Sequence, residues 1–135
     1  MAYQGQSIHN PATGQRMTFT TLTEELLELT SVNPRTERPE PRHTHPNQES
    51  DAHVHSGCLM FEVEGEERRL GPGESITIPT GAVHTFWNEG PEEAHSTQQF
   101  RPALRTAAFF ETYFALPQAA SWTTRACPVC CSSRS

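Results

Sequence analysis

Two histidine-bearing segments, separated by short β-rich stretches and glycine turns, constrain this chain more than any other feature. The first reads PRHTHPNQES from Pro41, and the second reads SITIPTGAVHTFWN from Ser75. Alternate side chains of an extended strand share a face, so His43 and His45 point the same way about 7 Å apart. His84 reaches the same place if the strands close into a barrel. The pattern therefore predicts three convergent imidazoles inside a closed β-structure.

Three imidazoles at one point are suited to hold a metal ion. Imidazole is the commonest nitrogen ligand of first-row metals, and three of them with open positions suit Fe, Mn, Ni, Cu or Zn. The sequence thus predicts a divalent transition metal as cofactor, held by His43, His45 and His84. Two plainer interpretations stay open. His43 and His45 would also fit a polar surface strand, and His84 would also fit a core histidine satisfied by hydrogen bonds.

The composition favours one small β domain. A chain of 135 residues fits a single domain, and its 11 prolines and 8 glycines punctuate runs that are rich in Thr, Val, Phe and Ile. We expect extended segments at 6–10 and 16–32, and a proline-rich loop at 33–42. Further strands are expected at 50–55, 58–63, 75–78, 83–87 and 95–101. A hairpin is expected at Glu64–Glu66, followed by a strand that runs through Leu70, and a helix is expected at 106–116.

The charge pattern excludes several classes of protein. The net charge is -6 and no basic run exceeds two residues, so nucleic acid and anionic membrane surfaces are not expected partners. The chain has no lysine, which excludes Schiff-base chemistry. Neither a signal peptide nor an apolar run of about 18 residues occurs, and we predict a cytoplasmic protein.

Two sequence motifs resemble those of the cupins, which are small jelly-roll barrels with a metal site inside. The second cupin motif is complete, with Gly73, Pro79, Gly81, His84 and Asn88 at the family's spacing. The first motif is partly kept: His43, His45 and Gly57 fit it, whereas Glu37 stands at the position of the leading glycine. Ser50 stands where the family has a metal-binding glutamate.

The resemblance implies an all-β fold, a double-stranded β-helix (jelly-roll) cupin barrel with a short C-terminal helix. It covers roughly residues 6–116. The expected organisation has N-terminal strands and a proline-rich loop covering the barrel (1–41), a barrel core (42–101), the helix (102–116) and an irregular tail (117–135). The tail contains Cys127, Cys130 and Cys131, which have the spacing of half a zinc site or of a redox pair but offer only three ligands.

The fourth metal ligand depends on strand register. In a regular strand, Ser50 faces the barrel interior and Glu49 faces outward, because a shift of one residue reverses the face. A bulge near Gln48–Ser50 would turn Glu49 inward to complete the metal shell. Gln48, which has the inward parity, is a weaker oxygen donor.

The resemblance does not choose a reaction, because cupins include dioxygenases, isomerases, decarboxylases and non-catalytic binders. We predict a small-molecule ligand or substrate, and the candidates for the pocket lining are Gln48, Ser50, Phe61 and Phe86. One hypothesis is a metal-dependent, oxidoreductase-like enzyme. The other is a ligand-binding or regulatory cupin whose metal site is degenerate. By resemblance we also expect a homodimer.

Overall fold

The computed structural model describes residues 2–36 and 41–115, and these ranges contain nine strands and one helix. The expected tail with its three cysteines lies outside the described residues. The helix in the described ranges lacks the length and apolarity needed to cross a bilayer. The elements are β1 (Ser7–His9), β2 (Arg16–Leu22), β3 (Leu27–Asn33), β4 (Glu49–Ser56), β5 (Leu59–Val63), β6 (Glu66–Leu70), β7 (Ser75–Ile78), β8 (His84–Trp87), β9 (Ala94–Arg101) and α1 (Thr106–Ala115).

The strands form two antiparallel sheets, as a jelly roll requires. The larger sheet has the order β1-β2-β3-β9-β4-β7, and the smaller has the order β6-β5-β8. Strands distant in sequence lie side by side, because β9 pairs with both β3 and β4 in antiparallel register. The prediction of an all-β jelly-roll barrel with a short C-terminal helix is confirmed. The division of the chain into four regions stays a prediction.

The turns follow from local chemistry. Glu64 and Gly65 both have positive φ and join β5 to β6 in the tight hairpin that the sequence predicts. The extended stretch expected over 16–32 is in fact two strands. A turn separates them, in which the Thr23 hydroxyl accepts a hydrogen bond from the Leu26 amide at 3.1 Å. Polar residues that can bond their own backbone favour such a turn over a continuous strand.

Two apolar clusters hold the barrel together. One lies between the two sheets and is built from alternate residues of the paired strands, including the fully buried Val54 and Leu59. The other joins the N-terminal strands to the helix, where Phe114 packs with Phe19 and Leu29. Since α1 buries its apolar face against this second cluster, the helix is fixed over one end of the barrel.

Candidate metal centre

The three predicted histidines lie together. His43 lies before β4 and pairs directly with His84, the first residue of β8. The His43 amide donates to the His84 carbonyl at 3.0 Å, and the His84 amide donates back at 2.9 Å. His45 lies two residues along the same extended segment, so its ring falls beside the other two. One donor atom from each ring lies within 4.8 Å of the others.

Backbone carbonyls fix the orientation of two of these rings. His84 Nδ1 donates to the Ala82 carbonyl at 2.9 Å, and His43 Nδ1 donates to the Pro41 carbonyl at 3.1 Å. A ring nitrogen that donates a proton in this way leaves Nε2 as the nitrogen with the free lone pair. Metal-ligating histidines are commonly held by such an outer hydrogen bond, which sets the tautomer and the ring angle.

The surroundings of His45 and His84 favour the neutral form of these two imidazoles. Burial, together with the neighbouring rings of His43 and His84, lowers the pKa of His45 from 6.5 to about 4. Burial also lowers the pKa of His84, although its hydrogen bond to the Ala82 carbonyl opposes the change. A neutral ring has the lone pair that a metal requires. The donor set therefore fits a divalent transition metal.

The strand is regular around Ser50, the position at which the cupin motif has its metal-binding glutamate. The register of β4 with β9 runs without interruption from Glu49 to Val54, and its irregularity falls between Val54 and Ser56. Within the described residues of β4 there is accordingly no bulge at Glu49–Ser50. Glu49 is exposed and lies outside the histidine group, whereas Ser50 is buried and faces the same cavity as the histidines.

A cavity of about 510 Å³ adjoins the three histidines. That volume lies within the usual range for small-molecule sites. Phe61 and Phe86, which were expected to line a pocket, are on its wall and stack at a centroid distance of 5.1 Å. They meet because β5 and β8 pair them directly across the sheet.

Gln48 has a different position from the one expected for a pocket residue. It is buried, and its Nε2 donates to the Pro102 carbonyl at 2.7 Å and to the Thr106 hydroxyl at 2.8 Å. It also donates to the Ala103 carbonyl at 3.2 Å. Gln48 therefore ties the start of β4 to the start of α1.

The helix brings residues to the cavity that the sequence reasoning missed. Arg105 lies just before α1 and lines the cavity together with Phe109 and Tyr113, whose rings stack at 5.7 Å. Phe109 is 57% exposed, so this part of the wall lies at the opening. The aromatic spacing in α1 was the only signal in the sequence, and it predicted a helix without indicating which of its residues reach the cavity.

Comparison with known proteins gives one family. Residues 28–97 match the family model described as the Cupin domain. A stretch of 36 residues is 47% identical to part of D-lyxose/D-mannose isomerase from Escherichia coli. That stretch is 27% of this chain and covers only 16% of the isomerase.

Solved structures share the barrel. KdgF from Halomonas sp. superposes with a TM-score of 0.60 and 25% identity over 66% of this chain and 79% of its own. An RmlC-like cupin from Shewanella frigidimarina superposes with a TM-score of 0.65 and 18% identity over 78% of this chain and 93% of its own. Identity this low in the second structure shows a common fold only.

Proposed function

This chain belongs to the cupin family, and we propose that it binds one divalent transition metal through His43, His45 and His84 to act on a small organic molecule in the adjoining cavity. The observation that supports this most is the meeting of three imidazole donors within 4.8 Å at the cavity wall. Two of the rings are oriented by backbone carbonyls and two have a lowered pKa. These features favour a ligand set over a group of core histidines.

The protein's own residues would position the metal and the molecule. The Ala82 and Pro41 carbonyls hold the His84 and His43 rings with Nε2 free, and the apolar walls keep water from the bound molecule. A bound divalent ion would supply Lewis-acid chemistry, polarising an oxygen of that molecule. The identity of the metal among Fe, Mn, Ni, Cu and Zn, and oxidoreductase-like turnover, stay predictions.

A small-molecule substrate has support from the relatives. The curated relative is named as an isomerase of two small sugars, although the match covers only a short part of it. A short match of this kind supports a small-molecule substrate and leaves the type of reaction open. The cytoplasmic location and the homodimer likewise stay predictions.

One observation favours a second candidate, a non-catalytic ligand-binding cupin. Ser50 stands at the position of the family's glutamate, and the neighbouring carboxylate of Glu49 lies outside the histidine group. A site with three neutral ligands binds the ion without the negative charge that a carboxylate adds. Loss of turnover with retained ligand binding would follow from such a change.

Metal analysis tests the proposal. We would purify the chain without a histidine tag, measure bound metal by mass spectrometry, and then reconstitute it with each of the five metals. We expect one ion per chain, and the His84→Ala variant should lose it. The exposed His9 lies in β1, away from the site, so His9→Ala serves as the matched control and should retain the metal. Wild-type protein that takes up no metal, or a His84→Ala variant that keeps it, would contradict the proposal.

A further inference from the structure

The wall of the cavity is mainly apolar, and this restricts the molecule that it accepts. The apolar side chains around it include Met17, Phe61, Ile78, Phe86, Phe100 and Phe110. Each hydroxyl that a ligand brings into such surroundings gives up its bonds to water and needs a new partner. A polyhydroxylated sugar would therefore require many free polar groups in the wall.

Several polar side chains of the wall are already engaged in hydrogen bonds within the protein. Gln15 donates to the Ser31 hydroxyl at 3.1 Å, and Gln98 donates to the Ser96 hydroxyl at 3.4 Å. The Thr106 hydroxyl accepts the hydrogen bond from Gln48. These bonds hold the side chains in place and reduce their capacity to bind sugar hydroxyls. The wall thus favours a ligand with an apolar body.

One cationic side chain stands out against this wall. Arg105 is the only arginine or lysine among the described residues that line the cavity. Within the described ranges its side chain makes no hydrogen bond or ion pair. The one carboxylate in the lining, Asp51, is already paired with Arg101 at 3.1 Å and accepts a hydrogen bond from Thr77 at 2.7 Å. Arg105 therefore offers a free guanidinium beside the aromatic rim.

A guanidinium binds carboxylates through two parallel hydrogen bonds, which gives both strength and orientation. We propose that the cavity binds a small amphipathic carboxylic acid, with its apolar body against the aromatic wall and its carboxylate on Arg105. This inference rests on the proposed function, because the same molecule would be the one presented to the three histidines. It narrows the substrate to a class that differs from the sugars in the name of the curated relative.

Calorimetric titration with three probes tests the class of ligand. Phenylacetate has the apolar ring and the carboxylate, phenylacetamide has the same shape without the charge, and D-mannose represents a polyol. Titrations near neutral pH would use the protein as purified and after chelation, because a carboxylate can also ligate a metal. We expect phenylacetate to bind about tenfold more tightly than the amide in both preparations, and D-mannose to bind more weakly than either.

A substitution of the arginine locates the contact. Arg105→Gln should weaken phenylacetate binding about tenfold and leave phenylacetamide binding unchanged, while Arg105→Lys should recover part of the loss. Arg68 is exposed on β6 and away from the cavity, so Arg68→Gln is the matched control and should behave as wild type. Circular dichroism would establish that each variant is folded.

The results separate this inference from the proposed metal site. Tighter binding of D-mannose than of phenylacetate, or unchanged phenylacetate binding in Arg105→Gln, would overturn the inference whatever the metal content. Failure of the protein to take up any metal would overturn the metal-dependent function. In that case, Arg105-dependent binding of phenylacetate by the chelated protein would still support the ligand class.

Discussion

Replacement of Gly57 by alanine should destabilise the barrel strongly, because the chain has no room there for a side chain. Gly57 has φ of 73° and follows directly after β4. A Cβ at this position would lie 2.5 Å from the Glu93 carbonyl oxygen and 2.8 Å from the Ala94 Cα. Both atoms belong to the backbone before β9 or at its start, so neither can move aside by changing a rotamer.

The expected loss is the sum of two costs. A left-handed conformation costs an L-residue about 1–2 kcal/mol. Overpacking against atoms that cannot move costs about 1–3 kcal/mol more. These costs sum to about 2–5 kcal/mol, and the lower entropy of the unfolded alanine chain offsets about 0.4–1 kcal/mol of the sum. Gly57→Ala should therefore lower the free energy of unfolding by about 1–4.5 kcal/mol, a large part of the usual ~5–15 kcal/mol for a domain.

Gly73 provides the matched control. Its φ is 86°, and a Cβ built there would meet nothing within 4 Å. Gly73→Ala thus carries the left-handed strain and the same entropy change without the clash, and should cost about 1 kcal/mol. Urea unfolding of the chelated proteins, followed by far-UV circular dichroism, measures both. If the two variants lose the same stability, the close approach of Gly57 to the Glu93–Ala94 backbone is refuted.

Three further predictions concern the site and its support. Because the pKa of His45 is lowered from 6.5 to about 4, the unfolded chain takes up that proton first. The chelated wild-type protein should therefore lose stability as the pH falls from 6.5 towards 4, and the His45→Gln variant should lose less. The measurement is the urea midpoint of each protein as a function of pH, and equal slopes for the two proteins would contradict the prediction. Gln48→Ala should lower the free energy of unfolding by about 1–3 kcal/mol and speed amide hydrogen exchange in α1, because it removes the hydrogen bonds to the start of that helix. Gln99→Ala, which removes a half-exposed hydrogen bond, is the control and should leave the exchange in α1 unchanged. Ser50→Glu should raise metal affinity at least about tenfold over Ser50→Ala, because it adds an anionic ligand facing the histidines, and an unchanged calorimetric affinity would refute that orientation.

The positions of the histidines could be predicted because two local rules act together. Strand parity sets His43 and His45 on one face, and the glycine and proline turns before His84 determine where its strand begins. The fold class followed from the turn residues, from the runs rich in Thr, Val, Phe and Ile, and from the resemblance to the cupin motifs. Strand parity also predicted that Ser50 faces inward, and Ser50 is buried in the structure.

The rest depends on contacts between distant segments. Whether Glu49 turned inward was decided by its pairing with Arg101 in β9, which no local pattern displays. Gln48 and Arg105 acquire their positions from the packing of α1 over the barrel end, a tertiary relation. Aromatic spacing predicted that the helix exists, but the surface that it covers depends on the whole barrel.

The most direct test of the account is the position of a bound ion. Crystals grown from protein loaded with zinc, nickel or copper would be measured at the metal absorption edge. If the three histidines hold the ion together, one anomalous peak should lie within about 2.0–2.1 Å of Nε2 of His43, His45 and His84 at once. A peak elsewhere on the molecule, or rings that remain free of metal in the loaded protein, would contradict it.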